Sequence, residues 1–101
     1  MIDLKQAECS AIEYVETKQK KLGIPLQIVR RLDVPYGWVF FYNTQAYVQT
    51  GEIISALAGN APFIIDADNG SLHVFGTAFS IDRYLQEYES LREGYDAKRT
   101  V

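Results

Sequence analysis

The chain holds one thiol and one imidazole, Cys9 and His73, and a cysteine beside a histidine is the smallest pairing of nucleophile and base. No motif surrounds either of them. Cys9 falls one position off the apolar stripe of a helical pattern and His73 falls in a hairpin strand, so both read as structural or partner-facing. One His and one Cys are also too few soft ligands for zinc. Asp66, Asp68 and Asn69 ahead of Gly70 resemble the opening of a calcium loop, but the closing glutamate is missing and a hairpin turn accounts for all four. Gly59, Gly70 and Gly76 have neither dinucleotide nor Walker spacing and read as turn residues. The expectation is a protein with no catalytic residues, no metal and no cofactor.

The totals narrow the partners. A lone cysteine cannot close an internal disulfide and suits a reducing compartment, so a cytoplasmic protein is expected. The opening MIDLKQAECS lacks the basic lead of a presequence, and no window approaches the ~20 apolar residues of a membrane span. No Lys or Arg occurs between Arg31 and Arg83, whereas Asp33, Glu52, Asp66, Asp68 and Asp82 lie inside that interval. Nucleic acid needs a basic surface to displace counterions, so a basic or neutral protein surface fits this chain better. At 101 residues and 48% hydrophobic the chain makes one folded domain, expected over 1–94, with 95–101 a frayed tail.

The organising stretch is YGWVFFYN, residues 36–43, where Trp38, Val39, Phe40, Phe41 and Tyr42 follow one another directly. A helix would crowd these rings against its preceding turn, whereas a strand sends Trp38, Phe40 and Tyr42 to one face and Val39, Phe41 and Asn43 to the other. It is therefore expected to be the central strand. Ahead of it, residues 3–22 carry a helical stripe at Leu4, Ala7, Ala11, Tyr14, Val15 and Leu22, capped by Asp3 with Gln6 and stopped by Gly23 and Pro25. Residues 24–34 alternate, with Leu26, Ile28 and Leu32 on one side and Gln27, Val29, Arg31 and Asp33 on the other, and VPYG turns this strand into the central one.

Residues 44–61 read as a long connection containing one short element, a strand at Ala46 to Val48 or a helical turn at Glu52 to Ala58. Pro62 then opens FIID, and ADNG leads into SLHVFG as a second hairpin in which Ile65 faces Leu72 and Phe63 faces Val74. Ser80 caps a final helix with a stripe at Ile81, Tyr84, Leu85, Tyr88 and Leu91, ended by Gly94. The sum is an α+β domain, a mostly antiparallel four-stranded sheet with an N-terminal and a C-terminal helix packed on one face. The covered face is expected to hold Trp38, Phe40, Leu26, Ile28, Phe63, Ile65, Leu72 and Val74. The other, with Val29, Val39, Phe41, Ile64, His73 and Phe75, is too apolar for an idle surface, so the irregular connection or a partner must cover it.

YGWVFFYNT, then YVQTG, ALAGNAPFIID, the NG turn, GTA and YLQEYE together resemble the YrhB-like family, also classed as immunity protein 35 of bacterial polymorphic toxin systems. The resemblance implies a small cytosolic protein that neutralises a cognate toxin by stoichiometric binding, with papain-like peptidases among the associated toxin types. It supplies no catalytic residues, and its motif positions Gly37, Trp38, Gly59, Asn60 and Pro62 read as scaffold. On that reading Phe41, Ile64, His73 and Phe75 are the expected partner anchors and Asp66 and Asp68 the steering charges. A chaperone-like holdase or housekeeping binding module is the alternative, and a homodimer is open to an exposed apolar face or an unpaired edge strand.

Overall fold

The computed structural model describes the backbone of residues 1–51 and 60–99 and the side chains of residues 1–51 and 60–92. Helix α1 (Leu4–Leu22) starts on the expected capping box: the Asp3 carboxylate accepts from the Gln6 amide, and the Gln6 side chain accepts from the Asp3 amide. Gly23, at φ 69°, ends it in the left-handed conformation. Replacing Asp3 with alanine is expected to lower stability by about 1 kcal/mol, measured by urea unfolding.

Strands β1 (Leu26–Val34), β2 (Gly37–Thr44), β3 (Phe63–Asp66) and β4 (Leu72–Val74) form one antiparallel sheet in chain order. The second hairpin takes the expected register, with Ile65 opposite Leu72 and Phe63 opposite Val74. Between β2 and β3, the connection opens as a short helix, α2 (Gln45–Thr50), and not as the strand considered at Ala46 to Val48. Thr44 accepts from the Tyr47 amide at its start and Gly51 closes it at φ 71°, so two caps bracket the only turns that six residues can make. The helical turn considered at Glu52 to Ala58 lies outside the described residues.

The register of β1 differs from simple alternation. Ile28 opposes Tyr42 and Arg30 opposes Phe41, so Val29 is the extra residue of a β-bulge. That single insertion inverts the phase of the strand. Leu26 and Ile28 face one side of the sheet, whereas Leu32 and Val34 face the other, in place of the shared side that alternation predicts.

The two long helices do not share a face. Helix α1 lies on the first face, where Ala7, Ala11 and Val15 are buried with Leu26, Phe40, Tyr42, Phe63 and Ile65, and Trp38, Ile28 and Leu72 pack at the border. Helix α3 (Ile81–Arg99) covers the second face, where Ile81, Tyr84, Leu85 and Tyr88 pack over Val39, Ile64 and Phe75. The expectation of two helices on one face is thereby corrected: both faces of β2 and β3 are apolar, and one helix can shield only one of them. Neither the connection nor a partner is needed to cover the second face. The helix itself continues past Gly94, because a glycine followed by helix-forming residues costs about 1 kcal/mol without forcing a stop.

Candidate functional site

Building the second face from its floor, Val39, Ile64 and Phe75 come from β2, from β3 and from the residue after β4. Val39 and Ile64 are fully buried and Phe75 is 5% exposed. Over them lie the rings of α3. Tyr84 stacks on Phe75 at 5.9 Å and Tyr88 stands edge-on to it at 6.1 Å, while His73 sits at the rim, 5.4 Å from the Phe75 ring and 5.3 Å from that of Tyr88. The Tyr84 hydroxyl accepts from the amides of Ala78 and Phe79, which ties the incoming loop to the first turns of the helix.

Farther along α3 the contact turns ionic. Asp66, at the end of β3, has a nearly buried carboxylate that accepts from the Tyr88 hydroxyl at 2.6 Å, from the Asp68 amide at 3.0 Å and from the Arg92 guanidinium. Arg92 also reaches Asp68 at 2.6 Å and lies over the Tyr36 ring, which in turn stacks on Tyr88. One arginine thus fastens α3 to the β3–β4 turn and to Tyr36 of the β1–β2 turn.

Burial alone would raise the Asp66 pKa, but the hydrogen bonds from Tyr88, Arg92 and the Asp68 amide outweigh it and hold the carboxyl below its ordinary value of 3.8. Burial, and for Tyr88 the hydrogen bond to Asp66, push the hydroxyls of Tyr36 and Tyr88 up to about 12. The signs define a window. A depressed carboxyl contributes stability that is complete above its unfolded value and is lost as pH falls through the folded one; the raised phenols contribute stability that is complete below about pH 10 and is lost on the way to about 12. The urea midpoint is expected to be flat between roughly pH 5 and 9 and to fall on both sides, with Asp66→Asn removing part of the acid limb.

The predicted site residues therefore divide. Ile64, Phe75 and Asp66 lie beneath α3, and Phe41 is half-buried with the Arg30 guanidinium 5.2 Å from its ring centre. His73 and Asp68 remain at the surface, and Asp68 is ion-paired. The calcium-like Asp66 and Asp68 do hold a cation, namely the guanidinium of Arg92. Asn69 caps the Ser71 amide instead, and Gly70 takes the positive φ of 73° that the turn requires. Cys9 and His73 belong to opposite sides of the sheet, the one exposed on α1 and the other beside Tyr88, so they form no thiol–imidazole pair. Among the described residues, no group of three or more His, Cys, Asp or Glu is placed to hold a metal ion, and no helix is long and apolar enough to cross a membrane.

Of the motif positions, Asn60 donates to the Tyr42 carbonyl and the Pro62 carbonyl accepts from the Phe75 amide, tying the start of β3 to the strands around it. Trp38 borders the first core, and Gly59 lies outside the described residues. Two surface features escaped the sequence reading. Arg92 was hidden because an apolar stripe excludes arginine by type, although at about 100° per residue position 92 stays over the seam of Ile81, Leu85 and Tyr88 while Leu91 turns away to 67% exposure. Phe79 is half exposed with Arg83 at 3.8 Å over its ring, a pairing whose only signal is the spacing of four residues across the helix start.

Two comparisons with known proteins bear on this geometry. The family model described as Immunity protein 35 matches residues 6–91. The chain is also 37% identical over 89 residues to a protein of Escherichia coli (strain K12) described as uncharacterized protein YrhB, covering 88% of this chain and 90% of that one. No solved structure matches. With most of both chains aligned and the family model running from the first turn of α1 through all four strands into α3, the chain belongs to the immunity protein 35 family.

Proposed function

We propose that this protein neutralises a cognate bacterial toxin by binding it one to one and occluding its working surface, without making or breaking bonds at its own side chains. The observation that carries this reading is membership of the immunity protein 35 family across residues 6–91. The separation of Cys9 from His73 on opposite sides of the sheet agrees with it. A lone exposed cysteine suits a reducing cytosol, which is where a producing cell must meet its own toxin. With α3 seated, Phe41, His73 and Asp68 are the expected contacts that a partner can reach on the second face, and Phe79 with Arg83 adds an exposed aromatic and arginine pair of the kind that dominates binding energy. Ile64, Phe75 and Asp66 support that surface from beneath.

A papain-like peptidase is one toxin class to test, taken from any toxin domain encoded beside this gene. Co-expression is expected to restore growth and to yield a one-to-one complex on a sizing column. Continued killing with no complex formed would overturn the proposal. The holdase reading rested on an open apolar face, which α3 covers, and suppression of aggregation of unrelated clients would distinguish it from selective binding.

A further inference from the structure

We infer that two copies of this chain pair through the outer edges of their β1 strands, antiparallel and two-fold about Leu32, to make one continuous sheet. The inference does not depend on the toxin reading. The two edges of the sheet are unequal: β4 is three residues long, whereas β1 runs for nine. Short edges are protected and long ones invite another strand. The start of β1 is occupied, since the Leu26 amide donates to the Gln19 side chain and its carbonyl accepts from Gln45. Along residues 27–34, no described group outside β2 bonds to the backbone.

The side chains choose the occupant and the register. After the bulge at Val29 the strand reads Arg30, Arg31, Leu32, Asp33, Val34, with Arg31 and Asp33 on the α1 face and Leu32 and Val34 on the α3 face. A two-fold axis normal to the sheet keeps each face on its own side, so only pairings that match like faces are allowed. Centring on Arg31 sets that arginine against itself. Centring on Asp33 opposes two carboxylates and runs into Pro35. Centring on Leu32 sets Arg31 of each copy opposite Asp33 of the other, with leucine against leucine on the far face. Of these three registers, only the one centred on Leu32 is self-complementary.

The neighbouring surface agrees. Helix α1 and β1 leave a groove of about 380 Å³ beside this edge, lined by Ile12, Ile28, Val29 and Phe40 and rimmed by Glu8 and Arg31. Ile12 is 50% exposed and Val29 47%. Under the same two-fold each groove lies beside residues 33–36 of the other copy, so its apolar rim at Ile28 and Val29 is bordered by the other copy's Pro35 and Tyr36. Arg31 already holds Glu8 at 2.9 Å and Asp33 at 2.7 Å within its own chain, and pairing extends this into a cluster shared across the axis.

The test is sedimentation equilibrium on the wild-type chain, on Arg31→Asp, on Asp33→Arg, and on an equimolar mixture of the two variants, with circular dichroism confirming that each is folded. The wild type is expected to be a dimer. Each variant alone turns both cross-strand pairs into like charges and should weaken the dimer about tenfold or more, whereas the mixture opposes unlike charges throughout and should restore it as a heterodimer. Amide exchange on the wild type alone should slow at residues 30–34 as concentration rises, a readout that needs no variant. A wild type that remains monomeric, single variants that dimerise as well as the wild type, or a mixture that stays monomeric would each overturn the inference.

Discussion

Exchanging Arg92 for methionine is expected to lower the unfolding free energy by about 2–3 kcal/mol and to loosen the far half of α3. The methionine stem keeps most of the packing over Tyr36, so the loss isolates the guanidinium. What remains is a carboxylate at Asp66, 4% exposed, with no cation. Stranding a buried charge costs several kcal/mol, but the Arg92 side chain is itself 26% exposed and its bond to Asp68 is screened by solvent, which places the figure at about half of that for a fully buried pair. Two measurements check it. Urea unfolding reads the stability, and amide exchange should quicken beyond Tyr88 while α1 is unchanged. The Asp66 carboxyl, followed by NMR, should titrate higher than in the wild type because burial now acts with one hydrogen-bond donor fewer against it. Adding Asp66→Asn to the Arg92→Met chain should recover about 1 kcal/mol, since the second change removes the stranded charge; no recovery would mean the pair contributes through packing alone.

Gly37→Ala is expected to be at least as damaging, at about 3 kcal/mol or more. A Cβ on Gly37 would stand 2.3 Å from the Ile65 carbonyl oxygen and 3.3 Å from the Asp66 Cα, all of it backbone of the neighbouring strand. Nothing there can swing aside. Strands β2 and β3 must part, which weakens the pairing of Gly37 with Asp66 and of Trp38 with Ile65 and shifts the Asp66 carboxylate away from Arg92. Gly37 has no positive φ, so the requirement is close approach and not the turn conformation that a glycine after Pro35 suggests. Gly76→Ala supplies the contrast. Its Cβ would meet the Tyr84 hydroxyl at 2.4 Å, the far end of a side chain that can rotate, so the expected loss is about 1 kcal/mol and falls on the Tyr84 bonds to Ala78 and Phe79. Equal losses for the two variants in urea would refute the distinction.

Much of the architecture was legible because its signals are local. The Asp3 and Gln6 capping box, the Asn69 and Gly70 turn and the aromatic run at 38–42 each act through their immediate neighbours, and each forms as read. Register in the second hairpin followed from the turn and the alternation of Phe63, Ile64 and Ile65. The interval between Arg31 and Arg83 counts as acidic along the chain, yet Arg31 neutralises Asp33 and Arg92 neutralises Asp66 and Asp68, two of those three pairs closing over more than 20 residues of chain. Linear charge counts cannot see such closure. Two of the four anchors expected on the second face, Ile64 and Phe75, lie under α3 for a related reason: an apolar face looks the same in sequence whether a partner or the chain's own helix covers it.

By itself, the order of residues determined the two long helices and the four strands, the antiparallel pairing of each hairpin, and that both sides of the central strands must be shielded from water. Which helix takes which side was decided only in the tertiary structure. Side-chain alternation records a relative phase, and the bulge at Val29 resets that phase midway along β1, sending Leu32 and Val34 to meet α3. The reach of Arg92 to Asp66 then fastens the choice, through a contact between residues that are remote in the chain and that no periodicity connects.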